Sequence, residues 1–221
     1  MALGVTAVAV LGGCKVQRVA SQSLTLTRLH AQGDEAAAAG RWGEAATMFE
    51  EYLDIRPHET EVLVAQGRAL LELGRASEAR EHLAVAWGLE PQDPEIVGLY
   101  GRALLESAGA PAAIGFARRS GDGVVSPEVA AAAAEVLLAS GAPDDAEALL
   151  LNAARRDGAT SAAPHRALAE LYESLGDETR ELERLRVVLW FDAQDAATRA
   201  RLQELGQIPG PTLALSPGLV D

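Results

Sequence analysis

The chain has 221 residues with a formal net charge of −13, a sequence pI near 4.7, 48% hydrophobic residues and only 4% aromatics. That charge repels phosphate backbones, which argues against nucleic acid as a partner. The single cysteine rules out an intrachain disulfide, so the fold must stand on apolar packing. Ala, Leu, Glu and Arg dominate and runs of β-branched residues are nearly absent, which predicts an all-α fold with too much apolar surface for a disordered chain.

At the N-terminus, Ala2 to Gly13 (ALGVTAVAVLGG) are uncharged, a stretch of signal-peptide length and too short to span a bilayer as a helix. Leu11-Gly12-Gly13-Cys14 resembles the bacterial lipobox. That resemblance implies a leader over residues 1–13, diacylglycerol on the Cys14 sulfur and a short tether over 14–26. A leader ordinarily opens with Lys or Arg, and here nothing before Lys15 is charged. With Lys15 after the cysteine, an acidic inner-membrane retention signal is missing, which implies the outer membrane of a bacterial envelope, facing the periplasm. The alternative is an unmodified Cys14 and a cytoplasmic protein.

The chain then repeats itself. Leu29-x2-Gln32-Gly33, Ala45-x3-Phe49 and Pro57 return as Leu63-x2-Gln66-Gly67, Ala79-x3-Leu83 and Pro91, each moved by 34 residues. Gly33 and Gly67 are expected where two helices cross closely, with Ala45 and Ala79 facing them. Gly40 and Gly74 end the first helix of each pair, and Pro57 and Pro91 stop the second. This pattern resembles the tetratricopeptide repeat (TPR), and implies a right-handed α-solenoid of about five helix-turn-helix units.

The units are placed at 27–59, 60–93, 94–126, 127–160 and 161–193. The third keeps Val97, Tyr100, Gly101, Leu104 and Ala113, then breaks into Gly115 to Gly123, so its second helix is expected to be short. The fourth has Gly141, Ala146 and Leu150. In the fifth, Glu181 takes the usual alanine position and Ala193 the usual proline. Residues 194–205 suit a capping helix, and the Pro- and Gly-rich segment 206–221 is expected to be extended or disordered.

No phosphate loop, dinucleotide fingerprint, HExxH pair or nucleophile elbow occurs. His30, His58, His82 and His165 fall in separate units and are expected to face solvent; Trp42, Trp87 and Trp190 are expected to fill core. No catalytic residue, metal, cofactor or small-molecule substrate is therefore assigned, leaving surface as the candidate for function.

The TPR resemblance implies an inner face built from first-helix residues. Unit two supplies Glu61, Val64, Arg68, Leu71 and Glu72, and unit three Glu95, Gly98, Arg102, Leu105 and Glu106. Glu128, Glu135, Leu138, Arg166, Glu170 and Glu173 follow, so carboxylates outnumber guanidiniums and a basic or mixed-charge partner segment is expected. Arg68 with Glu72, and Arg102 with Glu106, also fit ordinary i,i+4 pairs on a solvated helix. The positions at which some TPRs use Lys and Asn to clamp chaperone tails hold His30 and Asp34, and Val64 and Arg68, so that ligand is not supported. The expected function is a non-catalytic, membrane-anchored scaffold that docks a protein or peptide in this concave groove. Lipobox plus TPRs is similar in architecture to pilotins, which assist secretin and type IV pilus assembly; an unlipidated intracellular adaptor is the alternative.

Overall fold

The computed structural model describes residues 10–122, 126–158, 160–208 and 213–219, with side chains from residue 22 to 218. Most of the expected leader, and the Cys14 side chain, lie outside the described residues. The helices are α1 (Val10–Ala38), α2 (Trp42–Ile55), α3 (Thr60–Glu72), α4 (Ala76–Leu89), α5 (Pro94–Ala108), α6 (Ala110–Gly121), α7 (Pro127–Ala139), α8 (Pro143–Asp157), α9 (Ala163–Leu175), α10 (Glu178–Phe191) and α11 (Ala196–Glu204). They form five helical hairpins followed by α11, the all-α element order of a TPR solenoid. Among the described residues there is no strand, and no helix is long and apolar enough to cross a membrane. The chain divides into two compact units, residues 1–86 and 87–221.

In the first unit, α1 is longer than its repeat requires, and the expected tether 14–26 is helical backbone within it. Among the described side chains of α1, Leu26 and Leu29 are buried, whereas Leu24 is exposed. Gly74 closes the α3–α4 turn at φ +72°. There Arg75 N donates to Leu70 O at 2.8 Å and Gly74 N to Leu71 O at 2.9 Å, the paired bonds that satisfy a helix's last carbonyls when a glycine adopts the left-handed conformation. The close helix crossings are at Gly33 and Gly67, as expected, but their nearest neighbours are the Phe49 ring and the Leu83 side chain. The large residue one turn beyond each alanine therefore sets the contact.

In the second unit, Asp93 caps α5, its Oδ1 accepting from Ile96 N at 3.0 Å. Pro94 is at the helix start, where its missing N–H is not needed. Ala117 stands in α6 where the earlier repeats have Phe49 and Leu83. Gly101 is met instead by Val136 of α7.

The third repeat's second helix is short, at 12 residues against 14 in α2 and α4. Its glycines do not break it: α6 continues through Gly115 to Gly121, whose missing side chain leaves room for Leu149 of α8. Phe116 anchors the helix, with its ring edge-on to Tyr100 at 4.8 Å and to Trp87 at 5.5 Å. The core then runs through Val97, Ala133, Leu137, Leu150, Leu168 and Tyr172.

The described part of the tail departs from expectation. Pro217–Leu219 form a 3-10 turn, and Leu213 and Ala214 fold back onto Ala169, Leu185, Leu189 and Leu202. Leu215 N donates to Arg186 O at 2.9 Å, and Arg186 Nε donates to Leu213 O at 2.9 Å. The physical reason is apolar surface on α10 and α11 that no further helix covers; the extended segment buries part of it while α10 supplies partners for its backbone.

Candidate docking groove

The expected inner-face residues meet different fates in the two units. On α3, Glu61, Arg68 and Glu72 are exposed, but Leu71 is only 2% exposed. This corrects its place on the groove: it is a core residue whose apolar side chain is spent on packing. His30 Nδ1 is 3.4 Å from Asp34 Oδ2, and its Nε2 lies 3.9 Å from Glu61 Oε1 at the start of α3.

In the second unit, α5 and α7 enclose a groove of about 400 Å³. Its apolar lining is Pro94, Gly98, Leu99, Gly101, Leu105, Ala132, Val136 and Ala139, and the exposed Glu95, Arg102 and Glu135 complete it. Four expected residues, Glu95, Arg102, Leu105 and Glu135, thus come together. The α7 contributions Ala132, Val136 and Ala139 were missed, because repeat positions alone do not say how closely two first helices approach.

The cations of this face are committed to carboxylates. Arg102 Nε donates to Glu106 Oε1 at 2.7 Å, the i,i+4 pair visible in the sequence. Arg166 Nη2 donates to Asp195 Oδ2 at 2.6 Å and so fastens α9 to the cap of α11. Arg201 Nη2 lies 3.3 Å from Glu173. On α9, burial first and the Glu135 charge second hold the Glu170 carboxyl above its usual range, while Arg166 acts in the opposite direction. The arrangement is an apolar slot whose charged lining is two carboxylates, Glu95 and Glu135, and one guanidinium, Arg102.

The aromatic and histidine expectations divide. Trp87 packs against the core, but Trp190 is 48% exposed, with Phe191 edge-on at 4.9 Å. His58 is exposed, whereas His165 is 3% exposed against the expectation of a solvent-facing ring. It sits at the start of α9 with its Nδ1 buried and unpartnered, and Phe191 is 6.2 Å away. No group of His, Cys, Asp and Glu side chains among the described residues is arranged to hold a metal ion.

Burial first, then the Arg184 guanidinium, push His165 down to about 4 from 6.5, with Asp157 opposing. The unfolded chain takes up this proton near 6.5 and the folded chain does not, so the stabilisation present above that pH is lost as pH falls towards 4. Allowing for solvent screening, the loss is on the order of 2 kcal/mol. Urea unfolding at about pH 7 and about pH 5 is expected to show a smaller pH effect in His165→Gln than in the wild type.

The tetratricopeptide-repeat family model matches residues 36–103, the region in which the second repeat and its neighbours are clearest. A thermophilic TPR protein of Thermus thermophilus is 23% identical, covering 81% of this chain and 97% of its own, with a TM-score of 0.53. The MamA protein is 17% identical over 85% of this chain and 98% of its own, at a TM-score of 0.49. YrrB, a TPR protein with an unusual peptide-binding site, is 13% identical over 80% and 90%, at 0.43. No curated protein matches the sequence. The repeat match, the helix order and the Thermus neighbour together give the conclusion that this chain has the fold of a tetratricopeptide-repeat protein.

Proposed function

We propose that this protein is a non-catalytic scaffold that docks a segment of a partner protein in the α5–α7 groove, and that lipid on Cys14 holds it at a bacterial envelope membrane. The observation that supports docking is the slot itself: about 400 Å³, with an apolar lining completed by two carboxylates and one guanidinium, the composition expected where an extended segment is bound by burial of a few side chains. Leu105→Asp is expected to reduce capture of partner proteins from solubilised native membranes about tenfold, by placing a charge against the apolar wall, with helical circular dichroism retained. Equal capture by both proteins overturns the groove.

Leu11-Gly12-Gly13-Cys14 supports the anchor, the thiol being the one group in that segment able to accept a diacylglycerol. Several acyl chains together hold a protein on a membrane far more firmly than one. Cleavage before Cys14 would leave Cys14–Ala38 of α1, so the helix itself would be the spacer, rising about 1.5 Å per residue. Cys14→Ala is expected to move the protein from the membrane to the soluble fraction; unchanged fractionation overturns lipidation. With the anchor in place, an outer-membrane scaffold of the pilotin kind is the more specific form of this proposal.

A further inference from the structure

Among the described residues, no close contact accounts for the glycine at position 98. It lies inside α5, where glycine costs about 1 kcal/mol relative to alanine. Gly101, one turn on, is explained by Val136, which a Cβ there would strike. A Cβ added at Gly98 would meet nothing within 4 Å. The residue lines the groove beside Leu99, Leu105 and Ala132, so the absent side chain leaves space in the slot and not in the core.

The charged lining determines what else the occupant carries. Glu95 on α5 and Glu135 on α7 line the same slot. Arg102, the cation there, is held at 2.7 Å by Glu106, and Arg166 of α9 is turned to Asp195 at 2.6 Å. Glu170, which also comes from α9, feels the like charge of Glu135, with Arg166 acting against it. A cation from outside placed beside Glu135 relieves that repulsion and forms a charge-assisted hydrogen bond at the lip of an apolar site.

Building on the docking proposal above, we infer that the partner segment is basic and amphipathic: one apolar side chain seats over Gly98 between Leu99, Leu105 and Val136, and a neighbouring Lys or Arg lies against Glu135. The apolar anchor supplies burial, and the cation sets specificity and orientation. An acidic segment is rejected by the same carboxylates.

The test uses the full chain and short fluorescein-labelled peptides in an anisotropy titration. One peptide has a central Leu flanked by Lys, a second has Ala for Leu, and a third has Glu for Lys. The Leu/Lys peptide is expected to bind, the Ala version about tenfold more weakly for the lost burial, and the Glu version not measurably. Gly98→Leu fills the seat and is expected to weaken the Leu/Lys peptide at least about tenfold, and Glu135→Lys by about tenfold with a shallower salt dependence. Gly98→Ala, which favours the helix and so folds in any case, is expected to weaken it several-fold.

Binding of the Leu/Lys peptide that Gly98→Leu, Gly98→Ala and Glu135→Lys all leave unchanged overturns the seat. Equal binding of the Lys and Glu peptides overturns the basic partner, as does failure of all three peptides while Leu105→Asp still reduces partner capture; in both cases docking stands. If Leu105→Asp has no effect on capture, the underlying docking proposal has failed instead.

Discussion

Phe116→Ala is expected to destabilise the second unit by about 3–5 kcal/mol, the range for emptying a buried phenylalanine site whose surroundings relax only in part. Phe116 is 1% exposed and stands edge-on to Tyr100 at 4.8 Å and to Trp87 at 5.5 Å. Each aromatic pair contributes about 0.5–1.5 kcal/mol beyond its buried area. Collapse into the cavity is restricted, because Ala113 and Ala117 beside it are fully buried and cannot extend into the space. Phe116→Leu keeps most of the volume and is expected to cost far less. Chemical denaturation measures the loss, and native-state hydrogen exchange should localise it to α5, α6 and α7. A loss under about 1 kcal/mol would show that the aromatic cluster is not what holds the third repeat.

That cluster also marks where the sequence stopped being legible. The hairpin order could be read because glycine, alanine and proline recur at fixed places whose physical demands are local: Gly74 needs a left-handed backbone, and Pro57 and Pro91 cannot continue a helix. The third repeat resembled a break because Gly115 and Gly121 are poor helix residues by propensity. Packing overrode propensity at Gly121, and the packing partner, Leu149, comes from the next hairpin. His165 and Trp190 were misplaced for a similar reason. Their positions on one helix are visible in the sequence, but whether a neighbouring element covers them is not: His165 is buried and Trp190 is nearly half exposed.

The groove was legible in its composition and not in its extent. Glu95, Arg102, Leu105 and Glu135 follow from repeat positions, and Arg102 with Glu106 follows from helical spacing. The Arg166–Asp195 bond spans 29 residues, and no local rule anticipates it. Leu71 and Leu105 hold equivalent places in their repeats, yet Leu71 is buried and Leu105 lines the slot. Equivalent sequence positions therefore do not have equivalent accessibility. The tail shows the same limit. Its Pro- and Gly-rich sequence does not say where Leu213 packs, because that fold-back depends on apolar surface that α10 and α11 leave uncovered.

Arg201→Met is expected to lower the unfolding midpoint clearly, whereas Glu181→Ala should have little effect. Glu181 stands where the earlier repeats have Ala45, Ala79, Ala113 and Ala146, all essentially inaccessible, and it is itself 2% exposed. A carboxylate is tolerated there because α11 supplies its partner: Arg201 Nε donates to Oε1 at 2.6 Å and Nη2 to Oε2 at 3.1 Å. Removing the arginine leaves the carboxylate buried without its ion partner, which is the costly way to break such a pair. Removing the glutamate restores the residue that the repeat ordinarily carries, and Arg201 keeps Glu204 at 3.0 Å and Glu173 at 3.3 Å. The double substitution should therefore behave like Glu181→Ala alone, with a large coupling between the two sites. Hydrogen exchange at the α11 amides should rise in Arg201→Met before any other helix responds, because this bidentate contact joins the capping helix to the last hairpin. Equal losses from the two single substitutions would mean that the site depends on filled volume, and the ion pair would then not account for the glutamate.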